Sequence, residues 1–124
     1  MPNTVEITTA TPSVSIVSLV GDHDLGEYES LKVAFARAAI RAPNLVADLS
    51  RCAFIDSTVI GLLLHAERLV AKDRGRLVVA LPAEAGPVTR VAELVRLSEL
   101  LPTFVSVEAA LASLDEQTEL GDPQ

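Results

Sequence analysis

Apolar and polar positions along this chain follow two rhythms. VSIVSLV at residues 14–20 is β-branched with partial alternation and predicts a strand. LVADL at 45–49 predicts a second, and residues 53–55 extend the chain toward a turn. RLVVAL at 76–81 is nearly all apolar, the pattern of a strand buried on both faces. Between these stretches the spacing becomes helical. Leu31, Phe35, Ala38 and Ala39 mark a stripe over residues 27–41; Val59, Leu62, Leu63, Ala66, Leu69 and Val70 mark another over 58–72; Val88, Val91, Ala92 and Val95 mark a third over 87–97. Residues 97–102 read as one helical turn, 103–105 as a short last strand, and Ser106 is placed to cap a final helix over 107–114. The Thr- and Pro-rich residues 1–12 have room for an edge strand around 5–8.

The punctuation between elements supports this division. Gly21-Asp22-His23-Asp24 closes the first strand, and Asp24 with Glu27 three residues later forms a capping-box pattern for the first helix. Pro43-Asn44 ends that helix. Gly75 is the expected breaker of the second. Strands that alternate with helices predict an α/β layer with a mostly parallel or mixed sheet.

Composition narrows the function. The core has to be Leu, Val, Ile and Ala, because aromatic residues make up 3% and Trp is absent. Seventeen acidic against ten basic residues give a net charge of -7, which argues against non-specific nucleic-acid binding and against anionic membrane surfaces. The lone Cys52 has no partner for an internal disulfide or a thiolate metal site. MPNTVEITTATPSV lacks the basic-then-apolar order of a signal peptide. The apolar run VIGLLL falls well short of the ~18–20 residues that cross a bilayer. A soluble, acidic, cytoplasmic domain is expected.

Candidate chemistry is sparse. Asp22, His23 and Asp24 are adjacent in a turn, where neighbours rarely converge on one ion, so a turn and cap explain them better than a metal site. His65 follows Ser57 by eight residues, more than about 10 Å along a helix at roughly 1.5 Å per residue, too far to activate its hydroxyl. No G-x-S-x-G elbow and no Gly-rich phosphate loop occur. The expectation is a protein that is not an enzyme and uses no cofactor and no metal.

The segment FIDSTVIG, residues 54–61, is the most informative. Asp56, Ser57 and Thr58 are good helix caps. The helix they open is unusually apolar at its start, where Val59, Ile60, Leu62, Leu63 and Leu64 cover most of the circumference, and exposure of some of these would make a protein-binding patch beside a hydroxyl. A phosphate on Ser57 would sit at a helix N-terminus, where free amides and the dipole accept negative charge.

The run DLSRCAFIDSTVIGLLLHAERLVAKDRGRLVVAL, then VTRVAELVRLSELLPTFVSVEAALASL, resembles the STAS domain family, and within it the bacterial anti-sigma factor antagonists. The family shows "DLS" at a strand end, an "F-I/M-D-S-S/T-G-L-G" turn, a long helix, a "GG-x-L" strand and a "GL…L-x-x-F-x-S-x-x-x-A" ending. LVGDHD resembles its "L-x-G-E-L-D" turn. The resemblance implies a single STAS-like α/β domain over 13–114, with a four- to five-stranded mixed sheet and about four helices packed mainly on one face. Residues 1–12 become an N-terminal segment with an edge strand, and 115–124 a polar, flexible tail. It further implies an anti-sigma factor antagonist that binds an anti-sigma factor with ATP-dependent serine kinase activity. Phosphorylation at Ser57, or secondarily Thr58, ends the interaction, and a serine phosphatase restores it. Asp22, His23, Asp24, Asp56, Ser57, Thr58, Val59 and Leu62 are the implied partner contacts, on a monomer or weak homodimer. The family glycines become Val59, Arg74 and Arg96, and Val59 is expected to add bulk at the interface. A non-switching STAS scaffold or transport-associated partner module is the alternative; a ligand-binding or enzymatic α/β protein lacks convergent polar residues.

Overall fold

A computed structural model describes residues 3–120. In chain order the elements are β1 (Thr4–Thr11), β2 (Val14–His23), a 3-10 turn (Leu25–Glu27), α1 (Tyr28–Arg41), β3 (Asn44–Asp48), β4 (Cys52–Ile55), α2 (Ser57–Ala71), β5 (Leu77–Ala80), α3 (Pro87–Leu94), α4 (Leu97–Leu100), β6 (Thr103–Phe104) and α5 (Val107–Leu120). The sheet runs β1-β2-β3-β5-β6, with β4 paired to β2 off this path. β1 is antiparallel to β2, and the other pairs are parallel, so the sheet is mixed as expected. It has six strands, one or two more than expected: β6 falls on the predicted 103–105, and β4, four residues read as an extension toward a turn, pairs as a strand of its own. α5 continues through residues 115–120 of the predicted tail; 121–124 lie outside the described residues.

Alternation along each strand divides the core in two. Val17 and Leu19 of β2, Leu45 and Ala47 of β3, and Leu77 and Val79 of β5 face α1, α2 and α3. Val14, Val46, Val78 and Ala80 point the other way and meet Ala110 and Leu114 of α5. Most helices therefore lie on one face, and α5 seals the second. Buried strands must be apolar on both sides, which explains the continuous LVVA of β5. Among the described residues no helix is long and apolar enough to cross a membrane.

Two positions where the resemblance has glycine are arginines here, and both have left-handed backbone: Arg74 at φ 65 and Arg96 at φ 55. Arg74 ends α2, with its amide on the Ala71 carbonyl (3.0 Å) and that of Gly75 on the Val70 carbonyl (2.8 Å). Arg96 turns the chain from α3 into α4 and is paired only loosely to Glu99, at 3.9 Å on the surface. A side chain in this region costs about 1–2 kcal/mol, partly offset by the greater unfolded-state freedom of glycine. Arg74→Gly and Arg96→Gly are each expected to stabilise the protein by about 0.5 kcal/mol, read as a raised urea midpoint at unchanged slope.

Candidate functional site

The tenth residue of β2 explains how two distant sequence segments meet. Residues Val14–Ser18 of β2 pair with β3, but β2 runs on to His23. After β3 the chain bulges over residues 49–51 and returns as β4, which pairs with this extension: Asp22 opposite Phe54, and His23 opposite Ile55. Asp48 fastens the bulge. Its buried carboxylate accepts from Ser18 Oγ (3.1 Å), Ser50 N (2.9 Å) and Ser50 Oγ (2.6 Å). The "DLS" pattern is thus a local staple: a buried carboxylate has to be hydrogen-bonded, and the following serine supplies two of the donors. LVGDHD and FIDST end side by side.

Asp56 is the cap that the sequence predicts. Its Oδ1 accepts from the amides of Thr58 (2.9 Å) and Val59 (3.3 Å), with the cap residue in extended conformation. This leaves Ser57 as the first residue of α2, exposed, with Thr58 half-buried behind it. Asp22 and Asp24 are exposed on the adjoining strand end.

Three implied contacts are not on this surface. Val59, at 1% exposure, and Leu62 pack into the core, as do Ile60 and Leu63. The apolar start of α2 is not a patch. It is the helix face that lies over the sheet, and its width reflects burial beneath α1 and against β3, β4 and β5. Val59 therefore adds no bulk to the surface around Ser57; its side chain lies in the core. His23 is likewise wholly buried. Two other residues are exposed on this surface. Phe54 is 40% exposed on β4, and Gly61 lies one turn below Ser57 with no atom within 4 Å of where a Cβ would stand. In the sequence Phe54 reads as part of an apolar strand; the missing signal is that β4 buries only its two end residues.

Asp24 also differs from expectation. Its Oδ1 accepts from Gly26 N (2.9 Å) and so closes the 3-10 turn, while α1 begins later, at Tyr28, with no side-chain cap. The Glu27 carboxylate does not complete a capping box. It is drawn to Asn3 Nδ2 (3.3 Å) and toward His23 Nδ1 (3.1 Å). His65 lies half-buried farther along α2, apart from Ser57. Among the described residues no three His, Cys, Asp or Glu side chains converge as metal ligands do. A cavity of about 500 Å³ opens at the C-terminal ends of β5 and β6, lined in part by Leu81, Thr89, Arg96 and Thr103, and includes none of the residues above.

Cys52 lies beneath the site, its Sγ 3.3 Å from the Gly21 carbonyl oxygen. Burial pushes the thiol from 9.0 up to about 11, with Asp22 and Glu27 adding to the rise and the Phe54 backbone opposing it. Folding therefore favours the protonated thiol. Its contribution is complete below about pH 9 and is lost as the pH climbs to about 11, because the unfolded chain releases the proton first. Between pH 8 and 11 the melting temperature of the native chain is expected to fall more steeply than that of Cys52→Ala; parallel curves would contradict this.

Comparison with known proteins agrees with this architecture. The family model described as Mlab, STAS domain matches residues 7–102. No curated protein matches the chain. Among solved structures, an anti-sigma factor antagonist from Mycobacterium paratuberculosis is 26% identical, with a TM-score of 0.79 over 90% of this chain and 93% of that one. The unphosphorylated anti-sigma factor antagonist SpoIIAA is 19% identical, with a TM-score of 0.76 over 91% and 97%. The phosphorylated form of SpoIIAA, a Bacillus cell fate determinant, is 18% identical, with a TM-score of 0.67 over 90% and 99%.

Proposed function

This chain belongs to the STAS domain family, and from that premise we propose that it is a cytoplasmic anti-sigma factor antagonist, a binding module and not an enzyme, switched by phosphorylation of Ser57. It binds an anti-sigma factor that is also an ATP-dependent serine kinase, and so regulates sigma-factor-dependent transcription. A serine phosphatase resets it. The observation that carries the reading is the placement of Ser57: an exposed hydroxyl on the first turn of α2, held by the Asp56 cap, with bare Gly61 below it and Phe54 and Asp22 beside it. A kinase can reach such a hydroxyl without opening the fold. Thr58 is half-buried and is the poorer acceptor.

The mechanism follows from charge. Phosphate adds about -1.5 to -2 charges, and the helix N-terminus tolerates them. The folded chain therefore survives modification while the interface does not, because Asp22, Asp24 and Asp56 already make this surface negative and a partner would have to desolvate the new charge. Incubation with the cognate kinase and ATP, followed by phosphosite mapping, is expected to place one phosphate on Ser57 and none on the Ser57→Ala chain. Phosphate only at other residues, or none with a kinase active on another substrate, would leave the scaffold or transport-associated module as the better reading.

A further inference from the structure

The cavity beyond β5 and β6 takes no part in the surface around Ser57. At about 500 Å³ it falls within the ~300–1,000 Å³ of small-molecule pockets. It opens outside the carboxyl ends of parallel strands, where open α/β sheets hold their ligands. Its wall is apolar: Leu81 follows β5, and Ala92 and Leu97 are core residues of α3 and α4. Phe104 packs with α5, so alternation turns its neighbours Thr103 and Val105 the other way, into the cavity. Val105 stays 69% exposed at the mouth.

The rim carries charges at a spacing of three residues: Glu93, Arg96 and Glu99. Backbone bonds fix that spacing, from Arg96 N to the Glu93 carbonyl (3.1 Å) and from Glu99 N to the Arg96 carbonyl (3.0 Å). Left-handed Arg96 bends the chain between the two glutamates, and all three side chains border one space. Glycine, which the resemblance has there, would make the bend without strain and without a cation. Arg96 Nη1 and Glu99 Oε2 stand 3.9 Å apart, beyond hydrogen-bond distance and largely exposed. They form an open dipole, with a positive and a negative site side by side.

Charge selects the occupant. Two carboxylates and a chain of net charge -7 repel an anion, and Arg96 repels a cation. A zwitterion laid antiparallel to the Arg96–Glu99 dipole satisfies both. We infer that the cavity binds a free α-amino acid with a large apolar side chain. Its carboxylate pairs with Arg96, its ammonium with Glu99 and Glu93, and its side chain covers Leu81, Ala92, Leu97 and Val105. The ammonium has three donors, and the Ser98 and Thr103 hydroxyls line the same space as acceptors for the third. The Thr89 hydroxyl is already engaged with Gly86 N (2.8 Å) and the Gly86 carbonyl (2.9 Å). A peptide terminus brings one charge without the other and fits less well. This site stands independently of the reading of Ser57.

Amide NMR of the nitrogen-labelled chain, titrated with L-phenylalanine, L-tryptophan or L-leucine, tests the inference. Saturable shifts confined to residues 81–85, 92–99 and 103–105 are expected. Free glycine, which has the same charges and no apolar group, should produce none. N-acetylphenylalanine lacks the ammonium and phenylalaninamide lacks the carboxylate; each is expected to bind at least tenfold more weakly than phenylalanine. Arg96→Gly, which should gain stability, and Glu99→Gln are expected to weaken phenylalanine by a similar factor while the remaining spectrum stays that of the folded chain. Absence of saturable shifts with all three apolar amino acids, or shifts only elsewhere, overturns the site. Equal affinity for the acetyl or amide derivative, or unchanged affinity in Arg96→Gly, overturns the zwitterion assignment.

Discussion

Gly75→Ala is expected to destabilise the protein by about 3 kcal/mol, enough to lower its melting temperature by roughly 10 °C. A Cβ at this position would stand 1.7 Å from the Pro43 carbonyl oxygen, 2.8 Å from the Pro43 carbonyl carbon and 3.0 Å from the Val70 carbonyl oxygen. All three are backbone atoms, so no side chain can swing aside. Two connections cross here, the one from α1 to β3 and the one from α2 to β5. Next to the crossing, Arg76 N donates to Asn44 Oδ1 (2.9 Å) and Leu45 N to the Arg76 carbonyl (2.9 Å). These bonds set the register in which Leu45 lies opposite Leu77. Pushing the loops apart strains the central pairing of the sheet. Urea denaturation measures the effect, and an unchanged midpoint would show that the loops separate at no cost. The neighbouring Arg74→Gly change has the opposite sign, so two adjacent positions are expected to respond in opposite directions.

Ser57→Asp is expected to weaken binding to the anti-sigma kinase at least tenfold, a loss of about 1.4 kcal/mol, while the melting temperature stays within a degree or two. Aspartate brings one negative charge, less than phosphate, so the phosphorylated chain should bind more weakly still. At the first position of α2 the new carboxylate meets the favourable end of the helix dipole, which offsets the solvent-screened repulsion of the neighbouring aspartates, so the folded state gains or loses little. In a complex the same charge has to be stripped of water among Asp22, Asp24 and Asp56. Calorimetry with the purified pair reads the affinity, and circular dichroism the fold. Equal affinity for Ser57→Asp and the native chain would show that charge at this hydroxyl is not the switch. Ser57→Asn, which adds similar bulk without charge, should retain most of the affinity.

Much of the fold is legible in the sequence because it rests on period and punctuation. Strands β2, β3 and β5, helices α1, α2 and α3, the Asp56 cap and the Ser106 cap, whose Oγ accepts from Ala109 N at 3.0 Å, all follow from local pattern. The misses share a cause: each depends on what packs against a segment. The apolar start of α2 reads equally well as a surface patch or as a deeply buried face, and only the sheet beneath it assigns Val59 and Leu62 to the core. The Asp24 and Glu27 pair has the spacing of a capping box, yet Glu27 goes to Asn3 and His23 because β1 and the extended β2 bring those groups near. Gly75 reads as a helix breaker chosen for its conformational freedom. The left-handed residue is in fact Arg74, and glycine is needed at 75 because Pro43, more than thirty residues earlier, occupies the space of a side chain.

The sequence by itself determined the alternating α/β layers, the apolar two-sided core and a polar Asp56-Ser57-Thr58 step at the head of a helix, because these depend on spacing within a few residues. The tertiary structure alone decided which of those residues lie at the surface and which in the core. The extra length of β2 and its pairing with β4 set Asp22 opposite Phe54, three residues before Ser57, and put His23 out of reach of solvent. Exposure is a property of what lies across the chain, and hydrophobic burial acts between segments far apart in sequence, so no local pattern could have fixed it.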